Sequence, residues 1–265
     1  MKNKETIGII GYGHLGQKLS QGYLKASYEV HINNGDKKRT KQKLKEVGEK
    51  ISRASTVEEI AHQCSTIILC VKHAQLAVVG SELNCQLNED HLVISCLAQA
   101  TLAEVQSFLD HSGTSVVKLM TTLGVGNRKG VSSYQLANTE ALLLRGRVEK
   151  LVKAVSAKNS VLKLESEEEM KLFTKLVGCF PGIMAYFLHQ LELSADMHGG
   201  QSFRQYSHML STLLRSSADL LEAAGSAQEL ENQVATPGGY TSLTIKSLEK
   251  DGFAEIVDKA IMAGL

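Results

Sequence analysis

The stretch GIIGYGHLG, residues 8–16, decides the fold. It overlaps a β-branched run, Thr6–Ile10, and leads into an amphipathic segment, so the pattern predicts a strand, a glycine turn and a helix. In such a G-x-G-x-x-G turn, Gly11 permits the tight bend, Gly13 lets a pyrophosphate approach the backbone, and Gly16 lets helix and strand pack closely. The motif predicts a dinucleotide site at the start of the helix, and a merely tight turn is the alternative.

Short apolar runs alternate with amphipathic stretches through the first half of the chain. Capping-box spacings, Ser55 with Glu58 and Thr101 with Glu104, predict two helix starts between the runs. Strands that alternate with helices predict an α/β domain with a parallel, Rossmann-type sheet. The further predicted strands are Tyr28–Ile32, Thr66–Val71, His91–Cys96, Ser115–Leu119 and Val131–Ala137.

The second half of the chain is predicted to be all-α, with no strand after about Leu164. A helix begins after Ser166 and is broken or kinked at Pro181, and a long helix covers Phe203–Ala224. The apolar run Gly182–Leu188 indicates a helix buried on most sides, which in a chain of this size favours burial against a second subunit. We therefore predict two domains, residues 1–160 and 161–265.

Composition excludes several classes of protein. The chain has 265 residues, 43% apolar and 22% charged, as in an ordinary globular protein. Its net charge is +1, with +6 in residues 1–155 and −5 in the rest, which argues against nucleic-acid and membrane partners. The longest stretch without Lys, Arg, Asp or Glu, residues 176–191, is too short for a membrane span, which needs roughly 20 residues.

The cysteines and histidines point to neither disulfides nor a metal. Five cysteines without C-x-x-C spacing predict free thiols in a cytoplasmic protein, and the opening MKNKETIGII leaves no room for a signal peptide. The nine histidines form no metal-binding signature, so no metal is expected.

The end of the second predicted strand bears on the choice of dinucleotide. NAD sites usually place an acidic residue there, whereas this chain has Asn33 and Asn34, followed after Gly35 and Asp36 by Lys37 and two more cations. Asparagine can donate to a 2′-phosphate and lysine can neutralise it, so NADP is favoured and NAD is possible. A solvated basic helix start is the alternative interpretation.

A second motif, TPGGYT, lies at residues 236–241. A proline and two glycines form a turn that brings backbone close to another group, and Thr241 places a hydroxyl at a helix start, where carboxylates bind. A plain capped turn between two helices is an equally good interpretation from these residues alone.

The chain resembles the pyrroline-5-carboxylate reductases. That family has an N-terminal glycine turn, a V-K-P, a V-S-C or similar strand end and a late S-P-G-G-x-T. Corresponding motifs occur here in the same order over essentially the whole chain: VKH at 71–73, VISC at 93–96, KLMTT at 118–122 and TPGGYT at 236–241.

The resemblance implies a function and a set of site residues. It implies an oxidoreductase that reduces 1-pyrroline-5-carboxylate to proline with NAD(P)H, in proline biosynthesis, and a Rossmann domain joined to a helical domain that forms a homodimer or higher homo-oligomer. It places the pyrophosphate on the glycine turn, the nicotinamide and its ribose on the next two strand ends, the substrate carboxylate on the late motif, and the ring nitrogen at Thr241. The implied residues are Gly11, Gly13, His14, Leu15 and Gly16; Val71, Lys72 and Leu97; and Thr236, Gly239, Tyr240 and Thr241.

Departures from the family pattern fall at the expected substrate pocket. Phe180 and Ile183 replace smaller residues, Tyr240 replaces Ala or Thr, Thr236 replaces Ser, and His73 replaces the proline of V-K-P. Two alternatives therefore stay open: a reductase of a different cyclic imine or ketimine acid, and a non-catalytic NADP-binding sensor.

Overall fold

The structure, a computed structural model, describes residues 5–35, 38, 53–109, 113–137, 142–199 and 206–263. The chain forms two compact units, Met1–Cys179 and Phe180–Leu265. The limit of a compact unit need not be the limit of an independently folding domain, so the domain limits predicted from the sequence, 1–160 and 161–265, stay a proposal.

The first unit is built on one eight-stranded sheet with the order β3-β2-β1-β4-β5-β6-β7-β8. Neighbouring strands are parallel except for the antiparallel pair β6–β7. The sequence predicts six of the strands to within about two residues at each end, but it did not reveal β3 and β8. The strands are β1 Thr6–Ile10, β2 Glu29–Asn33, β3 Arg53–Ala54, β4 Thr66–Leu69, β5 Leu92–Ser95, β6 Ser115–Thr121, β7 Gly130–Leu136 and β8 Ser156–Lys163.

In the described part of the chain, helices complete this unit, and apolar clusters cover both faces of the sheet. One cluster joins strand residues such as Ile9 to Leu19 of α1 and Leu151 of α5, and the other joins Ile67 to Ile60 of α2. This three-layer arrangement is the predicted Rossmann-type fold. The helices are α1 His14–Lys25, α2 Val57–Gln63, α3 Leu76–Asn84, α4 Leu102–Ser107, α5 Leu142–Val155 and α6 Glu167–Phe173.

The capping box predicted at Ser55 and Glu58 is wrong by one residue. Thr56 is the N-cap of α2: its hydroxyl accepts from the Glu59 N–H, and the Glu59 carboxylate accepts from the Thr56 N–H. The pairs Ser55/Glu58 and Thr56/Glu59 both have the spacing of a capping box. Ser55 does not cap the helix; its N–H donates to the Ile32 carbonyl of the sheet.

The predicted interruption near Pro181 is confirmed. After α6 the chain makes one π-helical turn, Thr174–Gly178, and leaves the helical pattern at Cys179 before α7, Phe180–Gly199, begins. Proline is tolerated in the first turn of α7 because the first N–H groups of a helix have no intrahelical acceptor.

The second unit contains helices only, as predicted, in the part of the chain that the structure describes. The predicted helix Phe203–Ala224 is confirmed from residue 206; its first residues lie outside the described part. The Ser226 hydroxyl caps the next helix by accepting from the Glu229 N–H. The remaining helices are α8 Tyr206–Ala224, α9 Ala227–Val234, α10 Tyr240–Lys250 and α11 Phe253–Met262.

Among the described residues, the helical stretch Glu167–Gly199 is long and apolar enough, by length and composition only, to cross a membrane. The sequence predicts no span there, because its longest uncharged segment, residues 176–191, is too short. Its most apolar window has a mean hydropathy of 1.3, and only 6% of that window is buried within the chain. The stretch therefore presents apolar surface that its own chain does not cover.

Candidate cofactor and substrate sites

The three glycines of the turn after β1 have different surroundings. Gly11 has a φ of +101°, and a Cβ there would lie 2.5 Å from the carbonyl atoms of Cys70. A Cβ on Gly16 would strike the Gly11 carbonyl oxygen, so this glycine permits close packing of α1 on the turn. A Cβ on Gly13 would meet nothing within 4 Å. The turn thus has one side open, at Gly13.

The open side coincides with the start of α1. Gly13 is the N-cap of this helix, no side chain caps it, and no acidic residue stands in the first turn. Unpaired N–H groups and the positive end of the helix dipole therefore face the open space, an arrangement that binds phosphate. His14 is exposed here, and Leu15 packs partly against the core. The residues present fit a pyrophosphate group.

The two asparagines at the end of β2 differ in what they can offer a ligand. Asn33 donates its amide N–H to the Ser55 carbonyl (2.9 Å), and its Oδ1 accepts from the Gly35 N–H (3.0 Å). Asn34 Oδ1 accepts from the Tyr12 N–H (3.1 Å), which ties this strand end to the glycine turn. Among the described residues, the amide nitrogen of Asn34 donates to no acceptor, so Asn34 is the better placed donor. Lys37 lies outside the described residues.

A cleft of about 550 Å³ opens at the carboxyl ends of β4 and β5. It brings together three of the residues that the family resemblance implies for the nicotinamide side, Val71, Lys72 and Leu97; what they hold stays a prediction. Ligands of open parallel sheets bind at this edge of the sheet. The lining residues are Val71, Lys72, His73, Ala74, Cys96, Leu97, Ala98 and Gln99.

A hydrogen bond joins the segment that follows β4 to the helix that follows β5. His73 Nε2 lies 2.7 Å from Glu104 Oε1, and both side chains are partly exposed. His73 begins a single 3₁₀ turn after Lys72, while Glu104 lies in the first turn of α4. Thr101 accepts from the Glu104 N–H, but the Glu104 carboxylate contacts His73, so the predicted capping box is formed only by its first half.

The late motif forms a hydrogen-bonded, solvent-exposed turn before α10. The Gly239 N–H donates to the Thr236 carbonyl (2.9 Å), and Gly238 has a φ of +77°, a conformation that favours glycine. Gly239 is the N-cap of α10, without a side-chain cap and without an acidic residue in the first turn. Tyr240 is 92% exposed, and Thr236 and Thr241 are also exposed. This second helix start can receive an anion such as a carboxylate.

A buried ion pair was not foreseen from the sequence. Lys118 of β6 is 2% exposed and its Nζ lies 2.8 Å from Glu167 Oε2, while Glu167 Oε1 accepts from the Leu102 N–H. The pair fixes the start of α6 to the sheet and to the start of α4. The signal that could have revealed it is a lysine between Val117 and Leu119 in an otherwise apolar strand, since a buried lysine requires an anionic partner.

Within the described ranges, no group of three or more His, Cys, Asp or Glu side chains is arranged to hold a metal ion.

Comparison with known proteins assigns both parts of the chain. Residues 167–265 match the family model described as pyrroline-5-carboxylate reductase dimerisation, and residues 6–99 match the model described as NADP oxidoreductase, coenzyme F420-dependent. The first match includes the apolar stretch that begins at Glu167.

Relatives match over nearly the whole chain. The pyrroline-5-carboxylate reductase of Methanobrevibacter smithii is 29% identical over 92% of this chain and 97% of its own length, and that of Aquifex aeolicus is 27% identical over 96% and 93%. The crystal structure of the Plasmodium falciparum pyrroline carboxylate reductase with NADP bound has a TM-score of 0.84 at 21% identity, covering 99% of this chain and 96% of that one. The glycine turn, the match to the dimerisation model and these near-full-length matches agree: the chain is similar to the pyrroline-5-carboxylate reductases along nearly its whole length, and the solved structure shares its fold.

Proposed function

We propose that this protein is an NAD(P)H-dependent oxidoreductase that reduces 1-pyrroline-5-carboxylate to proline. The observation that carries the proposal is the open space in front of Gly13 at the uncapped start of α1, in a chain related to reductases of this substrate over nearly its whole length. The space fits a pyrophosphate, and a dinucleotide bound there extends along the carboxyl edge of the sheet.

The first unit supplies the cofactor contacts in this proposal. The N–H groups at His14 and Leu15 and the turn from Gly11 to Gly16 hold the pyrophosphate, and Val71, Lys72 and Leu97 hold the nicotinamide and its ribose. The reduced nicotinamide, when bound, donates a hydride.

The cofactor in this proposal is NADP, with NAD as the second possibility. Its 2′-phosphate is bound by Asn34, with Asn33 holding the strand end in place through its two backbone contacts. Lys37 adds a positive charge, which a 2′-phosphate needs and a ribose hydroxyl does not.

The second unit supplies the substrate contacts. The start of α10, with Thr236, Gly239 and Tyr240, binds the substrate carboxylate through N–H and hydroxyl groups. Thr241 holds its hydroxyl at the ring nitrogen. Hydride transfer requires an electron-poor imine carbon, and a hydrogen bond or proton at the nitrogen provides this. The protein's contribution is therefore orientation and a polar contact, with no strong general base.

A different cyclic imine or ketimine acid is the second candidate substrate. It is favoured by the bulk and exposure of Phe180 and Tyr240, which are 52% and 92% exposed in the chain. Large side chains that the chain itself does not cover change the shape of the pocket that a small substrate would occupy. A non-catalytic NADP-binding sensor is the third candidate and shares only the cofactor site.

The proposed assembly is a homodimer or a higher homo-oligomer. In the second unit, an apolar groove of about 950 Å³ is lined by side chains of α7, α8 and α9, Phe180 and Leu221 among them. Large exposed apolar surfaces mark sites of contact with another surface, and the match to a dimerisation model favours a second copy as the partner. A cytoplasmic location, without nucleic-acid or membrane partners, stays a prediction.

Steady-state oxidation of NADPH, and separately of NADH, with and without 1-pyrroline-5-carboxylate, tests the proposal. Turnover that depends on this substrate and is faster with NADPH is the expected result. Cofactor binding without turnover of this substrate contradicts the proline assignment, and a panel of other cyclic imines then separates the second candidate from the sensor. Faster turnover with NADH contradicts the assignment of Asn34 and Lys37.

A further inference from the structure

Two cysteines leave the sheet side by side at the cofactor cleft. Cys70 directly follows β4 and Cys96 directly follows β5, and the last residues of these strands, Leu69 and Ser95, are partners in the parallel register. The Cys96 N–H donates to the Leu69 carbonyl at 2.9 Å. The two backbones therefore still run side by side at the cysteines.

Both cysteine side chains point to the same face of the sheet. Successive strand residues alternate between faces, and Ile68 and Ile94, which are register partners two residues earlier, contact the same apolar cluster as Cys70 and Cys96. Leu69 contacts the cluster on the opposite face. Neighbouring strands lie about 4.8 Å apart, and a disulfide needs a separation of about 4.4–6.8 Å between the two Cα atoms, so the pair can be bridged with little movement.

Cys70 affects the acidity of the Cys96 thiol. A hydrogen bond to Cys70, together with burial, holds the pKa of the Cys96 thiol well above its usual value. Both side chains are half-buried, and Cys96 lines the cleft, so a small molecule in the cleft can reach the Cys96 side of the pair. The remaining cysteines lie elsewhere: Cys64 is buried on the opposite face, and Cys85 and Cys179 are exposed.

We propose that Cys70 and Cys96 form an oxidisable dithiol in the wall of the cofactor cleft, which a peroxide converts into a disulfide. The sulfur of one cysteine attacks one peroxide oxygen, the O–O bond breaks, and one water leaves, giving a sulfenic acid. The sulfur of the other cysteine then attacks this oxidised sulfur, the S–O bond breaks, and a second water leaves. Two thiols and one hydrogen peroxide thus give one disulfide and two waters, with the thiols losing two electrons.

The bridge acts on the part of the molecule that shapes the glycine turn. The position that a Cβ on Gly11 would occupy lies 2.5 Å from the Cys70 carbonyl atoms and 2.7 Å from the Val71 nitrogen. The Cys70 N–H also donates to the carbonyl of Ile10, the residue directly before the turn, at 2.7 Å, so a shift of Cys70 toward Cys96 disturbs this hydrogen bond and the start of the turn. This consequence rests on the proposed function, because it places the dithiol beside the bound dinucleotide: bound cofactor covers the thiols, and the disulfide weakens cofactor binding.

The first experiment uses the full chain with Cys64→Ser, Cys85→Ser and Cys179→Ser, so that only the pair remains. After treatment with hydrogen peroxide and blocking of free thiols, intact mass and a tryptic digest under non-reducing conditions are measured. Cleavage after Arg53, Lys72 and Lys118 leaves the two cysteines on separate peptides, 54–72 and 73–118. We expect a loss of two hydrogen atoms and a cross-linked pair of these peptides, both reversed by dithiothreitol.

Matched variants decide the assignment. Adding Cys70→Ser or Cys96→Ser to the same background is expected to abolish the cross-link, with circular dichroism confirming that each variant is folded. Two free thiols after treatment, or oxidation of a single cysteine to sulfinic acid without a cross-link, overturns the proposal. In the unsubstituted chain, cross-links through Cys85 or Cys179 in place of the pair overturn it as well.

The second experiment repeats the oxidation with NADP⁺, which does not itself consume peroxide. At about 100 times its Kd, NADP⁺ should slow the oxidation roughly 100-fold if only the free protein reacts. A disulfide that forms at the same rate with and without NADP⁺ leaves the dithiol established and overturns its placement beside the cofactor. Absence of the disulfide under both conditions overturns the dithiol and leaves the proposed function untouched.

Discussion

The two compact units differ in where their apolar side chains go. In the first unit, strand residues such as Ile9, Ile68 and Leu119 are completely buried. In the second unit, the described residues include no buried side chain, and large apolar residues such as Leu214 and Leu221 are about 40% exposed. The first unit closes its own core, whereas the second has helices with apolar faces that a single chain leaves open.

The difference follows from the number of layers in each unit. The sheet of the first unit is covered by helices on both faces, so continuous apolar strands such as β4 and β5 are enclosed. A helix buries only the stripe that faces another element. The helices of the second unit therefore need a further layer, which the proposed second copy provides.

The largest expected effect comes from charging the open face of the second unit. Leu214 and Leu221 are seven residues apart on α8 and line the same groove. We expect the double variant Leu214→Asp/Leu221→Asp to raise the dissociation constant of the assembly by at least roughly 100-fold, because burial of one leucine is worth about 1.5–3 kcal/mol and each protomer contributes two. Sedimentation velocity over a concentration series measures this.

The control for this variant is Ser216→Asp on the same helix, whose exposed hydroxyl donates to the Leu213 carbonyl. It adds a charge outside the groove and should leave assembly unchanged. Unaltered assembly of the double leucine variant, or equal dissociation of both variants, contradicts the view that the second unit is closed by a second copy through this face.

The next largest effect separates two glycines of the same turn in the first unit. Gly13→Val adds a side chain to open space, so we expect at least a 100-fold loss of NADPH affinity, with the free energy of unfolding within about 1 kcal/mol of the parent. Gly16→Ala places a methyl group against the Gly11 carbonyl oxygen and should destabilise the fold by about 1–3 kcal/mol. Fluorescence titration measures the affinity, and urea unfolding measures the stability.

The opposite pattern would contradict this interpretation of the turn. If Gly13→Val binds NADPH normally while remaining folded, the open space at the start of α1 is not the pyrophosphate site. If Gly16→Ala is as stable as the parent, the close packing of α1 against the turn does not limit stability.

The same contrast explains how much the sequence could predict. The glycine turn and strands such as β1 were predictable because their signal is local: a run of apolar residues ends at a glycine with a defined backbone role. The late P-G-G turn could not be distinguished from a plain turn by its residues, since its proposed ligand and the surface around it come from outside the local chain. The resemblance to a family supplied what local chemistry could not.

Pairings distant in sequence account for most of what was missed. The edge strand β8 is only partly buried, so it lacks a continuous apolar run. The links Lys118–Glu167 and His73–Glu104 join residues 49 and 31 positions apart. The difference between Asn33 and Asn34 was also beyond the sequence, because it depends on their contacts with the Ser55 carbonyl and the Tyr12 N–H.

A smaller effect is expected at the exposed turn of the second unit. Thr241→Ala removes one hydroxyl from the start of α10, where the side chain is exposed and supports no core. A hydrogen bond to a charged group is worth about 1.5–3 kcal/mol, so kcat/KM for 1-pyrroline-5-carboxylate should fall roughly 10- to 100-fold with NADPH affinity unchanged. Thr241→Ser should restore most of the activity. Equal loss in both variants, or a parallel loss of NADPH affinity, contradicts the role of this hydroxyl at the ring nitrogen.

The smallest expected effect concerns the hydrogen-bonded cluster around Glu149 at the surface of the first unit. Glu149 of α5 receives hydrogen bonds from Lys153, Tyr134 and Arg145, which lower the pKa of its carboxyl from 4.5 to about 2. Because the folded pKa is depressed, the stabilisation is complete above pH 4.5 and is lost as the pH falls toward 2. Solvent screens this partly exposed group, so Glu149→Gln should cost less than about 1 kcal/mol at pH 7.

Urea unfolding from pH 7 to pH 3 measures this effect: the difference in unfolding free energy between Glu149→Gln and the parent should shrink below pH 4.5. The control is Glu82→Gln, at an exposed position on α3 outside this cluster, measured in the same way. A Glu149→Gln deficit that does not change with pH would mean that the hydrogen-bond geometry, and not the charge of the carboxylate, stabilises this corner of the first unit.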